Sequence, residues 1–287
     1  MKKESKLTIA IPPGYALEEY LEIHNIKHKE FALKLGISAK HLCKLLAGDV
    51  ILNTDMALKL EKVSGISGNI WMGLEYEYRK ELQIVEDENN MDDDLEVLNK
   101  FPINEMEELG IIPKSNKKTD KVHNLRKFFQ VVKLTYLFEE KFPIFLGCNE
   151  RTTKKTEYKL MVLAQYAKLQ AYNIKTEKVN INKINNSLEK ILNFKENENF
   201  LEELPKYLSS LGIAFMLLPR ICKTINGITF NDNKKIVLGV VYEGDKEMFF
   251  YYLFHELGHI VLGHLKEKKE KNKEADLFAQ QFLDKEF

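Results

Sequence analysis

Apolar residues recur at helical spacing through the first 80 or so residues of the chain. The pattern predicts helices over residues 17–23, 28–35, 39–46, 54–63 and 69–79. Gly36 and Gly48 end two of these helices, and Ser38 is a suitable N-cap for the third. Two helices joined by a short turn that contains glycine have the spacing of a helix-turn-helix. The first part of the chain is therefore predicted to be an all-α helix-turn-helix domain.

The second helix of this motif has a polar side and an apolar side. Lys40, His41 and Lys44 are predicted to face outward, while the leucines of the same helix face the core. Such a helix fits the major groove of DNA, with Ser38, Lys40 and His41 near its N-terminal end. Residues 1–85 are nearly balanced in acids and bases, so a module that contacts only proteins is the alternative.

The last third of the chain mixes strand patterns with helical ones. A helix is predicted over 200–211, a strand over 213–218, a hairpin over 227–230 and 235–242, and helices over 249–265 and 274–282. Asn231, Asp232 and Asn233 supply the turn of the hairpin. This order predicts a mainly α protein with a small β-sheet, an α+β arrangement in which the sheet lies beside the helix 249–265.

That helix contains the sequence His-Glu-Leu-Gly-His at residues 255–259. Positions i and i+4 share one face of a helix, so His255 and His259 can bind one metal ion. Glu256 can then act as general base on a metal-bound water. The pattern predicts a zinc-dependent hydrolase, most often a peptidase. A chance match, or a histidine pair that only caps a core, is the alternative.

A catalytic zinc ion takes three protein ligands, so a third ligand is expected on a nearby element. Glu274, at the start of the next amphipathic helix, is the predicted ligand, with Asp276 and Glu270 as weaker alternatives. His264 lies about half a turn away from the ligand face if the helix continues. It joins the site, as a catalytic group that stabilises the transition state, only if Gly263 ends the helix.

An acidic, asparagine-rich run at residues 86–94 separates the two patterned regions. Such a run repels itself and has no apolar face, so it predicts a linker or an exposed loop. We therefore predict a helix-turn-helix domain over residues 1–85, an acidic and then basic linker region over 86–125, and a metallopeptidase domain over 126–287.

Length and composition limit the number of domains and the cellular compartment that the protein can have. A length of 287 residues allows two domains, and a formal net charge of zero gives no overall drive toward nucleic acid or membrane. No apolar run approaches the roughly 20 residues that span a bilayer, and the first residues lack the apolar stretch of a signal peptide. Cys43, Cys148 and Cys222 predict reduced thiols rather than a disulfide framework. We expect a cytoplasmic protein.

Residues 126–287 resemble the ImmA/IrrE family of metallopeptidases. The likeness is carried by Gly-x-Thr at 227–229, by Phe-His-Glu-Leu-Gly-His at 254–259 and by Glu-Ala-x-x-Phe-Ala at 274–279. The resemblance implies a zincin-like domain in which His255, His259 and Glu274 bind Zn²⁺ and Glu256 is the base. In that family the protein that is cut is typically a repressor.

Residues 11–82 resemble the XRE-type helix-turn-helix of HigA-like antitoxins. The likeness is carried by Lys-Glu-Phe-Ala at 29–32, Leu-Gly-Ile-Ser at 35–38 and Leu-Leu-Ala-Gly at 45–48. It implies a homodimer, formed through this domain, that binds an operator, commonly its own promoter.

Two functions remain open at this point. One is a DNA-binding regulator whose zinc endopeptidase domain cleaves a partner protein such as a repressor. The other is a non-catalytic antitoxin or autorepressor that binds DNA and a toxin, with zinc in a structural or sensory role.

Overall fold

The computed structural model describes residues 3–4, 8–138, 154–232, 234–266 and 271–283. The chain divides into two compact units, Met1–Asp93 and Asp94–Phe287. The described residues are mainly helical, and the C-terminal unit contains a small three-stranded sheet, as the sequence predicts. Among them, no helix has the length and apolar character needed to cross a membrane.

Three of the sequence-based predictions fall outside the described residues. They concern the thiol of Cys148, the alternative ligand Glu270 and the turn residue Asn233. Cys43 and Cys222, which are described, are free thiols as predicted.

Within its described residues, the N-terminal unit contains a two-stranded ribbon and five helices. They are β1 (Lys3–Glu4), β2 (Ile9–Ala10), α1 (Pro13–Ile23), α2 (His28–Leu35), α3 (Ala39–Leu46), α4 (Thr54–Ser64) and α5 (Gly68–Asn89). Leu17, Phe31, Leu42 and Trp71, from four of these helices, meet in one buried core. All five predicted helices are confirmed, and α5 extends ten residues beyond its predicted end.

The connection between α2 and α3 is set by short-range chemistry. Gly36 has a φ of 68°, a left-handed conformation that glycine adopts without strain, and it ends α2. Two residues later the hydroxyl of Ser38 accepts a hydrogen bond of 3.1 Å from the backbone N–H of His41 and caps α3. Local sequence therefore determines where α3 begins and which side of α3 is exposed.

The acidic run at residues 86–94 is helical and not the exposed loop that its composition predicts. The helix α5 continues to Asn89, and α6 (Met91–Leu98) starts directly afterwards. Asp94 is fully buried, and its carboxylate accepts hydrogen bonds from Arg126 Nε at 2.6 Å and from the Leu134 N–H at 3.0 Å. The division between the units falls directly before Asp94, so residues 94–125 belong with the C-terminal unit. Composition could not reveal this, because both partners of Asp94 are distant in sequence.

After α6, the described part of the C-terminal unit contains a run of helices, then three consecutive strands, and then the last helices. The elements are α7 (Ile103–Glu108), α8 (Lys118–Phe129), a 3₁₀ helix (Leu134–Phe138), α9 (Lys154–Tyr172), α10 (Ile181–Asn185), α11 (Leu188–Leu192), a 3₁₀ helix (Asn193–Glu196), α12 (Phe200–Ser209), β3 (Ile213–Leu218), β4 (Gly227–Asp232), β5 (Lys235–Val241), α13 (Lys246–Val261), a 3₁₀ helix (His264–Lys266) and α14 (Asn272–Leu283). The strand β5 is central, pairing in parallel with β3 and antiparallel with β4. The predicted strand and hairpin are both confirmed.

One face of the sheet carries the core that supports α13. Phe215 of β3 and Leu238 of β5 pack in one buried cluster with Phe249 and Leu253 of α13 and Ala279 of α14. The helix α9 contacts all three strands but contributes no residue to this cluster. Because side chains alternate along a strand, α9 covers the opposite face. The sheet thus lies between α9 and α13, and β4 is an edge strand of the described sheet.

Candidate metal centre and candidate nucleic-acid interface

The two histidines of the His-Glu-Leu-Gly-His sequence meet on one face of α13. Their Nε2 atoms are 3.2 Å apart. A tetrahedral zinc ion with bonds of about 2.0–2.1 Å holds two nitrogen ligands about 3.3 Å apart. The spacing of His255 and His259 therefore fits two ligands of one zinc ion.

The surroundings of His259 favour the form of imidazole that binds metals. Burial, followed by the neighbouring rings of His255 and His264, lowers the pKa of His259 to about 4. The ring is consequently neutral at neutral pH, and a neutral imidazole has a nitrogen lone pair free for a metal.

Asp276 of α14 contacts the other nitrogen of His255. Its Oδ1 is 2.8 Å from His255 Nδ1, and the hydroxyl of Tyr251 lies 3.3 Å from the same oxygen. Metal-binding histidines commonly donate their second ring N–H to a carboxylate, which fixes the ring's orientation. Asp276, considered from sequence as a weaker alternative ligand, instead lies behind His255. Tyr251 was not expected in the site, although it lies one helical turn before His255.

The chain turns back at Gly263, which brings His264 to the site. The helix α13 ends at Val261, and Gly263 has a φ of 79°. The helix therefore does not continue through Gly263, which is the condition under which His264 was predicted to join the site. His264 Nδ1 lies 3.1 Å from His259 Nδ1. It thus contacts the nitrogen of His259 that faces away from His255, which favours a supporting position over direct stabilisation of a transition state.

Glu274 contacts His264 rather than the pair of Nε2 atoms. Its Oε2 lies 3.3 Å from His264 Nε2, and its Oε1 lies 3.8 Å from Lys271 Nζ. Within the described ranges, no group of three histidine, cysteine, aspartate or glutamate residues has the spacing of a metal site. The structure therefore brings together two of the three predicted ligands, and Glu274 as the third stays a prediction.

The predicted base, Glu256, is buried against the edge strand β4. Desolvation raises the pKa of its carboxyl to about 8, and the neighbouring hydroxyl of Thr229 offsets part of this shift. A Cβ atom on Gly227 would lie 2.5 Å from Glu256 Oε1, so only glycine permits this approach of β4. The Gly-x-Thr sequence thus has a physical role, because both residues contact Glu256. The Gly-x-Thr sequence was visible from the start, but the sequence did not reveal that it contacts Glu256.

The glycine inside the motif has a packing role as well. A Cβ atom on Gly258 would lie 3.0 Å from Phe278 and 3.3 Å from the Cα of Ala275, both in α14. The absence of a side chain at Gly258 allows the two helices to pack closely. This packing brings Asp276 and Glu274 to the histidines of α13.

The N-terminal unit presents a cationic side of α3. Lys40 and Lys44 are exposed and lie one helical turn apart, whereas Leu42 and Leu45 are buried. His41 is half-buried. Ser38 is exposed too, but its hydroxyl is used as the cap of α3. Of the four residues predicted to bind DNA, the two lysines therefore have the freest access to a partner.

A curated relative places the chain in a known class of protein. The uncharacterized HTH-type transcriptional regulator YddM of Escherichia coli (strain K12) is 35% identical over 63 residues, which are 22% of this chain and 67% of that relative. The chain therefore belongs to the HTH-type transcriptional regulators, as the helix-turn-helix sequence predicts.

A solved structure matches a similar share of the chain. It is an addiction module antidote protein of a HigA family from Coxiella burnetii, with 24% identity and a TM-score of 0.27, and the match covers 29% of this chain and 92% of that one. No family model matches the sequence.

Proposed function

We propose that the protein is a DNA-binding transcriptional regulator whose C-terminal unit is a zinc-dependent endopeptidase that cleaves a partner protein such as a repressor. The observation that carries the peptidase is the 3.2 Å spacing of the Nε2 atoms of His255 and His259, with Glu256 between them in the same helix. Membership of the HTH-type regulators and the exposed lysines of α3 support the DNA-binding part.

In this proposal each residue near the histidine pair has a separate task. His255 and His259 hold the zinc ion, with Glu274 as the expected third ligand. Zinc in such a site lowers the pKa of a bound water and polarises a carbonyl group. Glu256 accepts the proton of the attacking water, and a nearby positive charge favours the ionised carboxylate that this task needs.

The edge strand β4 offers a way to hold an extended substrate. Peptides commonly add to an exposed sheet edge through main-chain hydrogen bonds. Because Gly227 and Thr229 of β4 contact Glu256, a peptide along this strand would have its backbone close to the base. This arrangement suits an enzyme that cuts within a polypeptide rather than one that needs a chain end.

Replacing Glu256 by glutamine tests the peptidase directly. We expect E256Q to keep about one zinc per chain and to lose cleavage by about 10²–10⁴-fold, because an amide cannot accept the proton. The probe is a proteome-derived peptide library, with products identified by mass spectrometry. The control is E247Q, an exposed glutamate in the first turn of the same helix. Absence of zinc from the wild-type chain after reconstitution, or cleavage by E256Q at the wild-type rate, would exclude this mechanism.

Two observations favour a second candidate, a non-catalytic antitoxin or autorepressor with structural or sensory zinc. Glu256 is buried beneath β4, and Glu274 contacts His264 instead of the histidine pair. In that case E256Q would leave repression of a reporter promoter unchanged, and a toxin would be the protein partner. Under the peptidase proposal the same variant retains zinc but loses the regulatory output.

The DNA-binding part is tested by the lysines of α3. We expect K40A and K44A each to weaken binding to the chain's own promoter DNA, because each removes one phosphate contact. Each should also reduce the slope of the logarithm of the binding constant against the logarithm of salt concentration by about one. K62A, an exposed lysine in the last turn of α4, is the control. Unchanged affinity and salt dependence in both variants would favour a module that contacts only proteins. Sedimentation of the full chain tests the expected homodimer.

A further inference from the structure

His264 is a buried imidazole that lies between two predicted ligands of the metal centre. Its side chain is 3% exposed, and its two nitrogens face different partners. Nδ1 lies 3.1 Å from His259 Nδ1, and Nε2 lies 3.3 Å from Glu274 Oε2. The left-handed turn at Gly263 aims the ring back toward α13. His264 thus lies between His259 of α13 and Glu274 in the first turn of α14.

The positions of the ring protons follow from these contacts. A neutral histidine has one N–H donor and one acceptor nitrogen. If His259 Nε2 binds a metal, the ring proton of His259 is on Nδ1, where it can be donated to His264 Nδ1. The proton of His264 is then on Nε2, which lies 3.3 Å from Glu274 Oε2 and faces that carboxylate without the geometry of a hydrogen bond. One arrangement therefore satisfies the hydrogen bond with His259 and leaves the second proton of the pair facing Glu274.

We propose that His264 is a positioning residue that fixes the tautomer and ring orientation of His259 and connects it to Glu274. The inference rests on the proposed zinc centre. It gives His264 a different role from the transition-state stabilisation suggested by sequence, because the ring touches the far nitrogen of His259. The histidine pair is then supported asymmetrically: Asp276 contacts His255 directly, while the carboxylate of Glu274 faces His259 across a second imidazole.

Three substitutions separate the two contacts of His264. The amide of asparagine reaches the position of Nδ1, so H264N keeps an acceptor for His259 and loses the contact with Glu274. The longer glutamine reaches the position of Nε2, so H264Q keeps a donor for Glu274 and loses the acceptor. H264F retains a ring but neither polar contact. The exposed His123 of α8 provides the control H123F in the same unit.

The test is zinc affinity of the full-length chain, measured in competition with a chromophoric chelator, together with the absorption spectrum of the cobalt(II) form. We expect H264F to bind zinc about 10–100-fold more weakly than the wild type, as is usual when an outer-shell partner of a metal ligand is removed. Its cobalt spectrum should also change, because His259 is no longer held in one orientation. H264N should recover most of the affinity and spectrum, H264Q should not, and H123F should match the wild type.

Several results would overturn the inference. Wild-type zinc affinity and an unchanged cobalt spectrum in H264F would show that His259 needs no such partner. Equal losses in all three His264 variants would show that the ring only fills space. If circular dichroism shows that H264F does not fold, the zinc affinities of H264N and H264Q decide. H264Q binding zinc as tightly as H264N, or more tightly, would then overturn the inference. Failure of the proposed zinc centre is a separate result, since the wild-type chain itself would then bind no zinc.

Discussion

The two units present their candidate functional groups in opposite ways. In the N-terminal unit, Lys40 and Lys44 are exposed on a helix whose start is set by Ser38, only two positions before Lys40. In the C-terminal unit, Glu256 and His264 are buried, and their partners come from β4 and from α14. One candidate site is a surface built by local sequence, and the other is an interior built by long-range packing.

This difference follows from the chemistry that each site needs. A surface that neutralises phosphates works with exposed cations, which contribute little to folding. A hydrolytic centre needs groups with shifted pKa values and fixed orientation, which burial and neighbouring side chains supply. Substitutions of Lys40 and Lys44 should therefore change binding alone, whereas substitutions near α13 should change stability and chemistry together.

The chain has a built-in probe that separates the two units. Trp71 is its single tryptophan, and it is buried in the core of the N-terminal unit. Tryptophan fluorescence during urea unfolding therefore reports on that unit. Hydrogen exchange of peptides from residues 94–283, read by mass spectrometry, reports on the other. The following predictions use both measurements.

The largest effect is expected from Asp94→Asn. The substitution removes the negative charge that contacts Arg126 Nε in the buried interior, and breaking a buried ion pair on one side costs about 3–5 kcal/mol. Hydrogen exchange in the C-terminal unit should accelerate, with a much smaller change in the Trp71 transition. The control is Asp93→Asn, the same change at the exposed neighbour. Equal effects of the two variants would contradict a stabilising role for the buried pair.

The second largest effect is expected from zinc. Free zinc at 100 times its dissociation constant should raise the free energy of unfolding of the C-terminal unit by about 2.7 kcal/mol, because only the folded state has the site. The expected readout is slower hydrogen exchange around α13 with no shift of the Trp71 transition. H255A should abolish the effect. A shift of the Trp71 transition by the same free energy would contradict the prediction that zinc stabilises the C-terminal unit alone.

A smaller loss is expected from Gly227→Ala. The new methyl group would lie 2.5 Å from Glu256 Oε1, and overpacking of this kind costs about 1–3 kcal/mol. Because the methyl group also displaces Glu256, library cleavage should fall more than stability does. Both quantities are compared with those of the wild type under identical zinc loading. Normal stability and normal cleavage would refute the close approach of β4 to the base.

The smallest effect, opposite in sign, is expected from Gly73→Ala. Gly73 lies in α5, and a Cβ atom there would meet nothing within 4 Å apart from the backbone of its own helix and its chain neighbours. Alanine favours a helix interior over glycine by about 0.8–1.0 kcal/mol, so the Trp71 transition should move to higher urea concentration. Hydrogen exchange in the C-terminal unit should stay unchanged. A destabilised N-terminal unit would show that this face of α5 is not open.

Sequence reasoning succeeded where the controlling interactions are local. The helices α2 and α3 have their predicted bounds, since glycine and an N-cap serine act within a few residues. It failed at Asp94, the last residue of the acidic run, because its partners Arg126 and Leu134 are 32 and 40 positions away. It also ranked Asp276 as an alternative metal ligand, although the structure uses its carboxylate to hold the outer nitrogen of His255.

The sequence by itself determined the helix-turn-helix, the strand order of the hairpin and the pairing of His255 with His259, because helical periodicity alone brings positions i and i+4 together. Only the tertiary structure decided that β4 buries Glu256, that Gly263 turns His264 back onto His259 and that Glu274 contacts His264. These contacts join different elements, and their geometry depends on how helices and sheet pack. Residue types along the chain do not specify that packing without the fold.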